Sequence, residues 1–143
     1  MQLIKDLELN PIEGSLSELR NLNKPFINVF VFDKEGNKCI VKALLDTGAP
    51  VSFISKYLID SCDLICKDEN AIYPTHFDVT NKGQYEASIL FDKSQNKPIN
   101  LLFGKFDDKN EGLHMIIGTD ILANFEFIYN KPKGQFSLIL PSK

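Results

Sequence analysis

Leu44-Leu45-Asp46-Thr47-Gly48-Ala49 decides how this chain is read. It continues the run Cys39-Ile40-Val41-Lys42-Ala43, so an apolar stretch ends in a carboxylate on a turn. Such a stretch reads as a β-strand. Gly48 lets the backbone bend sharply and come close to another chain. A carboxylate among apolar neighbours can activate a water for bond cleavage. One carboxylate alone does this poorly, because the complementary proton donor is missing. The pattern therefore asks where a second acid comes from.

The flanking sequence reads mostly as β. Phe26-Ile27-Asn28-Val29-Phe30-Val31-Phe32 is a strand, Asp33-Lys34-Glu35-Gly36-Asn37 a turn, and the motif strand completes a hairpin. Ser55 is placed to cap a short helix over residues 55–62. Tyr73-Pro74 interrupts the chain, and a second hairpin is expected, with arms over 76–80 and 84–91 and a turn at Asn81-Lys82-Gly83. Further strands are expected over 98–106, 113–117, 125–129 and 135–140, with one or two helical turns over 119–124. Residues 1–23 read as a lead-in segment, where Ser15 and Glu18 form a capping-box pattern for a short helix. Residues 24–143 read as one β-rich domain.

Composition narrows the function classes. A chain of 143 residues makes one domain. Sixteen basic against nineteen acidic residues, with no Lys/Arg cluster, argue against a nucleic-acid partner. No apolar run approaches the ~18 residues of a membrane span. Met1-Gln2-Leu3-Ile4-Lys5-Asp6 does not read as a signal peptide, because charges interrupt it. Cys39, Cys62 and Cys66 are an odd set at loose spacing, which suits free thiols in a reducing, cytoplasmic compartment. His76 and His114 lack ligand spacing, so no metal is expected. No Ser or Cys shows the partner pattern of covalent catalysis.

Asp46-Thr47-Gly48-Ala49, followed by Ser52-Phe53-Ile54-Ser55, resembles the active-site motif of the retropepsin-like aspartic proteases. Met115-Ile116-Ile117-Gly118-Thr119-Asp120-Ile121-Leu122 resembles that family's apolar-apolar-Gly segment, which precedes a short C-terminal helix. The resemblance spans residues 25–140. It implies an all-β, closed barrel-like fold with one or two short helices and an active site at a homodimer interface. With one Asp-Thr-Gly per chain, Asp46 would meet Asp46 of a second copy across a two-fold axis. The implied activity is hydrolysis of a polypeptide by an aspartic endopeptidase that needs no cofactor.

The resemblance also distributes roles. Asp46 is the catalytic acid, Thr47 braces the acid pair, and Gly48 and Ala49 support the active site, Gly48 close to substrate. Ile117 and Gly118 form a structural loop beneath. The second hairpin takes the place of the family's flap, with Thr80, Asn81, Lys82, Gly83 and Tyr85 facing an extended substrate; an ordinary surface hairpin fits the same residues. Asp120 reads as a helix cap or loop anchor rather than a catalyst. Pro50 departs from viral members, which often carry an acid there, and proline has no N–H to offer a substrate. The glycine-rich tip of many viral flaps is also missing. The strand over 135–140 is expected near the two-fold. The alternative is the same fold serving as a dimerisation or peptide-binding module without turnover.

Overall fold

The structure, a computed structural model, describes residues 12–19, 22–72, 82–91, 97–106, 113–130 and 135–139. Strand β2 (Leu22–Phe32) and strand β3 (Lys38–Leu45) form the expected hairpin, paired from Phe26↔Leu44 to Phe32↔Lys38. Asp33 shapes its turn: Oδ1 accepts the N–H groups of Glu35 and Asn37, each at 2.9 Å. Gly36 takes a φ of 86°, a region that costs glycine nothing. Period-2 alternation then sorts the side chains. Ile27, Val29 and Val31 of β2 join Val41, Ala43 and Leu45 of β3 in the main core. Phe26 and Leu44 instead enter a second apolar cluster with Phe53, Phe106, Leu113 and Ile116.

The hairpin is closed into a barrel by four more strands. These are β4 (Phe53–Ser55), β6 (Gln84–Leu90), β7 (Ile99–Phe106) and β8 (Met115–Ile117). β3 pairs in parallel with β8, β8 antiparallel with β4, and β4 in parallel with β7. β7 pairs with β6, and β6 returns to β2 through Phe30↔Leu90, Val31↔Ile89 and Phe32↔Ser88. The ring β2-β3-β8-β4-β7-β6 thus closes on itself and leaves no open edge within it. Ile54, Ile89, Phe103, Met115 and Ile117 fill its interior and are fully buried. Each contributes about 1.5–3 kcal/mol of burial relative to exposure.

Outside the ring, β5 (Ile65–Asp68) extends β6. β1 (Ile12–Leu19) pairs through its first half with β10 (Gln135–Ile139) and through its second half with the start of β2. β10 pairs in turn with β9 (Glu126–Asn130). Two short helices complete the described residues, α1 (Lys56–Cys62) and α2 (Thr119–Leu122). The all-β class with short helices is as expected.

The helix expected from Ser15 and Glu18 is instead part of strand β1. Ser15 pairs with Gln135 and Glu18 with Asn23 in antiparallel register. A capping box contributes only about 1 kcal/mol to a helix. Backbone pairing along the whole strand with β2 and β10 outweighs it. Part of the expected lead-in is therefore hydrogen-bonded into the sheet. Strands β4 and β5 were not anticipated; both are short, and β5 is wholly exposed. The hairpin arm expected over 76–80 lies outside the described residues. Its partner arm is β6, which among the described residues pairs instead with β5 (Cys66↔Tyr85), with β7 (Tyr85↔Phe103) and with β2 (Phe30↔Leu90), because those strands offer it longer ladders.

Candidate active site

The 46–52 loop joins β3 to β4, and β8 is inserted between those two strands. The insertion places the loop directly over the end of β8. Asp46 N–H donates to the Ile117 carbonyl at 2.9 Å, extending the parallel ladder one step past Leu45↔Ile117. The Asp46 carboxylate accepts the Gly48 N–H on Oδ1 at 2.9 Å, and the Ala49 N–H donates to the Asp46 carbonyl at 3.1 Å. Among the described residues, Oδ2 accepts no hydrogen bond. Asp46 is half-buried, and strand parity brings it out on the face of Leu44, opposite the main core. Ala49 and Val51 pack against the second cluster, so the carboxylate stands beside an apolar floor. A Cβ at position 48 would lie 3.2 Å from Asp46 Oδ1, so glycine keeps the space beside that oxygen open. Thr47 is exposed.

The loop is held from below by a polar network centred on the buried Ser52 and Gly118. Thr119 N–H donates to the Ala49 carbonyl at 2.8 Å. A Cβ on Gly118 would stand 2.4 Å from the Ala49 carbonyl oxygen and 2.8 Å from that of Val51, so only glycine fits. Ser52 is fully buried. Its hydroxyl donates to Asp120 Oδ1 at 2.6 Å and accepts the Gly118 N–H at 2.8 Å. Ser52 N–H donates to Asp120 Oδ2 at 3.1 Å, and Ile121 N–H to Oδ1 at 2.9 Å. Asp120 is therefore occupied as an anchor between the loop and α2. Ser52 was missed as a site residue. Its signal was a small hydroxyl between Val51 and the apolar pair Phe53-Ile54, a position that burial makes costly unless the group is fully paired.

A second unexpected pairing joins Ser55 and His114. Ser55 is fully buried; its Oγ accepts the Leu58 N–H at 3.0 Å as the α1 cap and lies 2.9 Å from His114 Nδ1. The His114 ring packs on Tyr57, centroids 5.0 Å apart. A hydroxyl with no exposure that already caps a helix is not a nucleophile. Among the described residues no three His, Cys, Asp or Glu side chains group as metal ligands, and no helix is long and apolar enough to cross a membrane.

Of the expected flap residues, Thr80 and Asn81 lie outside the described residues. Lys82 is exposed. Gly83 is buried at φ 120°, and its N–H donates to the Ala71 carbonyl at 2.9 Å. A Cβ there would stand 2.7 Å from the Tyr85 ring. Tyr85 faces Cys66 across β5 and β6, and burial, with Cys66 beside it, pushes its phenol above the ordinary range. Asp46, Gly48, Ala49, Ile117 and Gly118 are thus brought together, with Thr47 within the same turn. Lys82, Gly83 and Tyr85 form a separate group at the foot of β6, and no hydrogen bond among the described residues joins it to the Asp46 turn.

No protein-family profile matches the chain, and no curated protein sequence matches it. Solved structures do. A retropepsin-like aspartic protease from Rickettsia conorii is 18% identical, with a TM-score of 0.59 over 89% of this chain and 88% of that one. The retroviral protease-like domain of Ddi1 from Leishmania major is 16% identical, with a TM-score of 0.50 over 82% of this chain and 95% of that one. The closed six-strand barrel, the β8 insertion under the Asp46 loop and these likenesses agree: the chain has the fold of the retropepsin-like aspartic proteases.

Proposed function

We propose that this chain is an aspartic endopeptidase that works as a homodimer, with Asp46 from each copy forming the catalytic pair. One observation carries the reading. A half-buried carboxylate is gripped by a single oxygen at the end of a barrel strand, beside an apolar floor, in a retropepsin-like fold. The neighbouring acid, Asp120, is already committed to Ser52. The second carboxylate therefore comes from a second copy through an isologous contact.

Two carboxylates a few ångströms apart share one proton, because two adjacent negative charges are costly. The ionised member takes a proton from a water, and the protonated member hydrogen-bonds the substrate carbonyl. The activated water attacks the carbonyl carbon, and the leaving amine collects a proton from the pair. Thr47 braces the two turns against each other, while Gly48 and Ala49 run beside the extended substrate. The apolar floor favours hydrophobic side chains flanking the scissile bond. Thr80, Asn81, Lys82, Gly83 and Tyr85 are assigned to contact with the substrate. The three free thiols fit a reducing, cytoplasmic setting.

The deciding experiment compares wild type with Asp46→Asn on a denatured protein mixture at about pH 4–6, over a range of enzyme concentrations. Fragments from wild type alone, with specific activity rising with concentration, are expected. Silence from wild type at every concentration, with an intact dimer, would support a non-catalytic dimerisation or peptide-binding module instead.

A further inference from the structure

Cys39 lies near the start of β3 and Cys62 ends α1, 23 positions apart in the chain. The fold brings their sulfurs to 3.8 Å, which is contact. Cys39 is exposed, whereas Cys62 is 1% exposed directly behind it. Burial, then the bond to Cys39, pushes the Cys62 thiol up to about 12, so at neutral pH it stays protonated. Cys39 is therefore the sulfur of the pair that a reagent reaches. Both are free thiols in the structure. Cys66, the remaining cysteine, is exposed across from Tyr85 on β6. The segment between Cys39 and Cys62 carries the Asp46 turn, Ser52, β4 and α1.

We propose that Cys39 and Cys62 are an oxidative modification site, at which a low-molecular-weight disulfide such as oxidised glutathione converts the two thiols into an intramolecular bond. The Cys39 thiolate attacks one sulfur of the small disulfide and breaks its S–S bond. One small thiol leaves with a proton from solvent, and a mixed disulfide remains on Cys39. The Cys62 sulfur, having given its proton to solvent, attacks Cys39 Sγ and expels the second small thiol. Two protein thiols are oxidised and one small disulfide is reduced to two thiols. The sulfurs must close from 3.8 Å to the ~2.05 Å of a disulfide. The protonated Cys62 makes this second step the slow one, since the thiolate is the nucleophile. The bond would tie α1 to β3 and close a loop around the Asp46 turn. The site stands apart from the protease reading, because its test counts thiols rather than cleaved peptides.

The test incubates the native chain with oxidised glutathione, quenches with acid, alkylates the remaining thiols and maps peptides by mass spectrometry. Cys39→Ser and Cys66→Ser are treated alongside. Wild type and Cys66→Ser should each lose two alkylatable thiols to a peptide linking Cys39 with Cys62, the bond itself removing about 2 Da. The thermal midpoint of the linked form should rise by about 5–10 °C for a loop of this size. Cys39→Ser should form no link and show no such rise. A Cys39 that remains a glutathione adduct, a Cys39–Cys66 link, or unreacted Cys39 and Cys62 would each overturn the proposal. The mapping is read on wild type, so its outcome does not depend on any variant folding.

Discussion

Single atoms decide the geometry of the 46–52 loop. Asp46 uses one carboxylate oxygen to hold Gly48, and among the described residues nothing donates to the other, so an amide in its place can keep the first bond. Asp46→Asn is expected to leave stability within about 0.5 kcal/mol and to lower peptide cleavage by a factor on the order of 10²–10⁴ or more; urea unfolding and a cleavage assay on the same sample separate the two. Gly118→Ala drives a methyl into two carbonyl oxygens, Ala49 at 2.4 Å and Val51 at 2.8 Å. A loss of at least about 1–3 kcal/mol should appear as a lower denaturant midpoint, since the contacts are backbone and cannot swing away. Ser52→Ala strips Asp120 of a donor and leaves the buried Gly118 N–H unpaired. That should cost about 1–3 kcal/mol while leaving the Asp46–Gly48 bond in place. Asp46 and Gly118 were legible from sequence, because each stands in a short pattern whose chemistry permits few other residues. Ser52 was not, because its importance comes from burial and from a partner 68 positions away.

Elements show where local signals held and where they yielded. The β2–β3 hairpin follows from alternation and turn residues, and α1 from the Ser55 cap, all close in sequence. Ser55 caps α1 through Leu58 and also meets His114, so Ser55→Ala removes two interactions at once. About 1–2 kcal/mol of stability should be lost, read as a drop in the thermal midpoint. β3 and α1 are linked through the Cys39–Cys62 contact, which carries a pH consequence. Folding raises the Cys62 thiol from 9.0 to about 12, so the unfolded chain ionises first as pH climbs. The resulting stability is fully present below about pH 9 and is lost between there and about 12. Cys62→Ala should flatten that alkaline decline in unfolding experiments; an unchanged slope would show that the thiol contributes nothing. β1 is the element whose local signal misled. Its capping-box residues are real, but the strand partners that override them lie in β2 and at the far end of the chain.

Across the whole molecule, closure is the main architectural fact. β6 returns to β2 and seals the ring, while β1 joins the start of β2 to β10. A chain starting at Asn23 would lose β1 and uncover the edges of both β2 and β10. Lower thermal stability and greater light scattering are expected, because unpaired edges template aggregation; an unchanged midpoint would show β1 to be dispensable. Sequence by itself determined the strand-turn-acid motif, the apolar-apolar-Gly segment and the mostly β character. Each is written in neighbouring residues, through period-2 alternation, turn chemistry and the special needs of glycine. Tertiary structure alone decided that β8 slides between β3 and β4, that Ser52 locks Asp120 to Gly118, that Cys39 touches Cys62, and that β1 is a strand. All four depend on residues distant in the chain meeting in space, where partner and burial, rather than local preference, set the free energy.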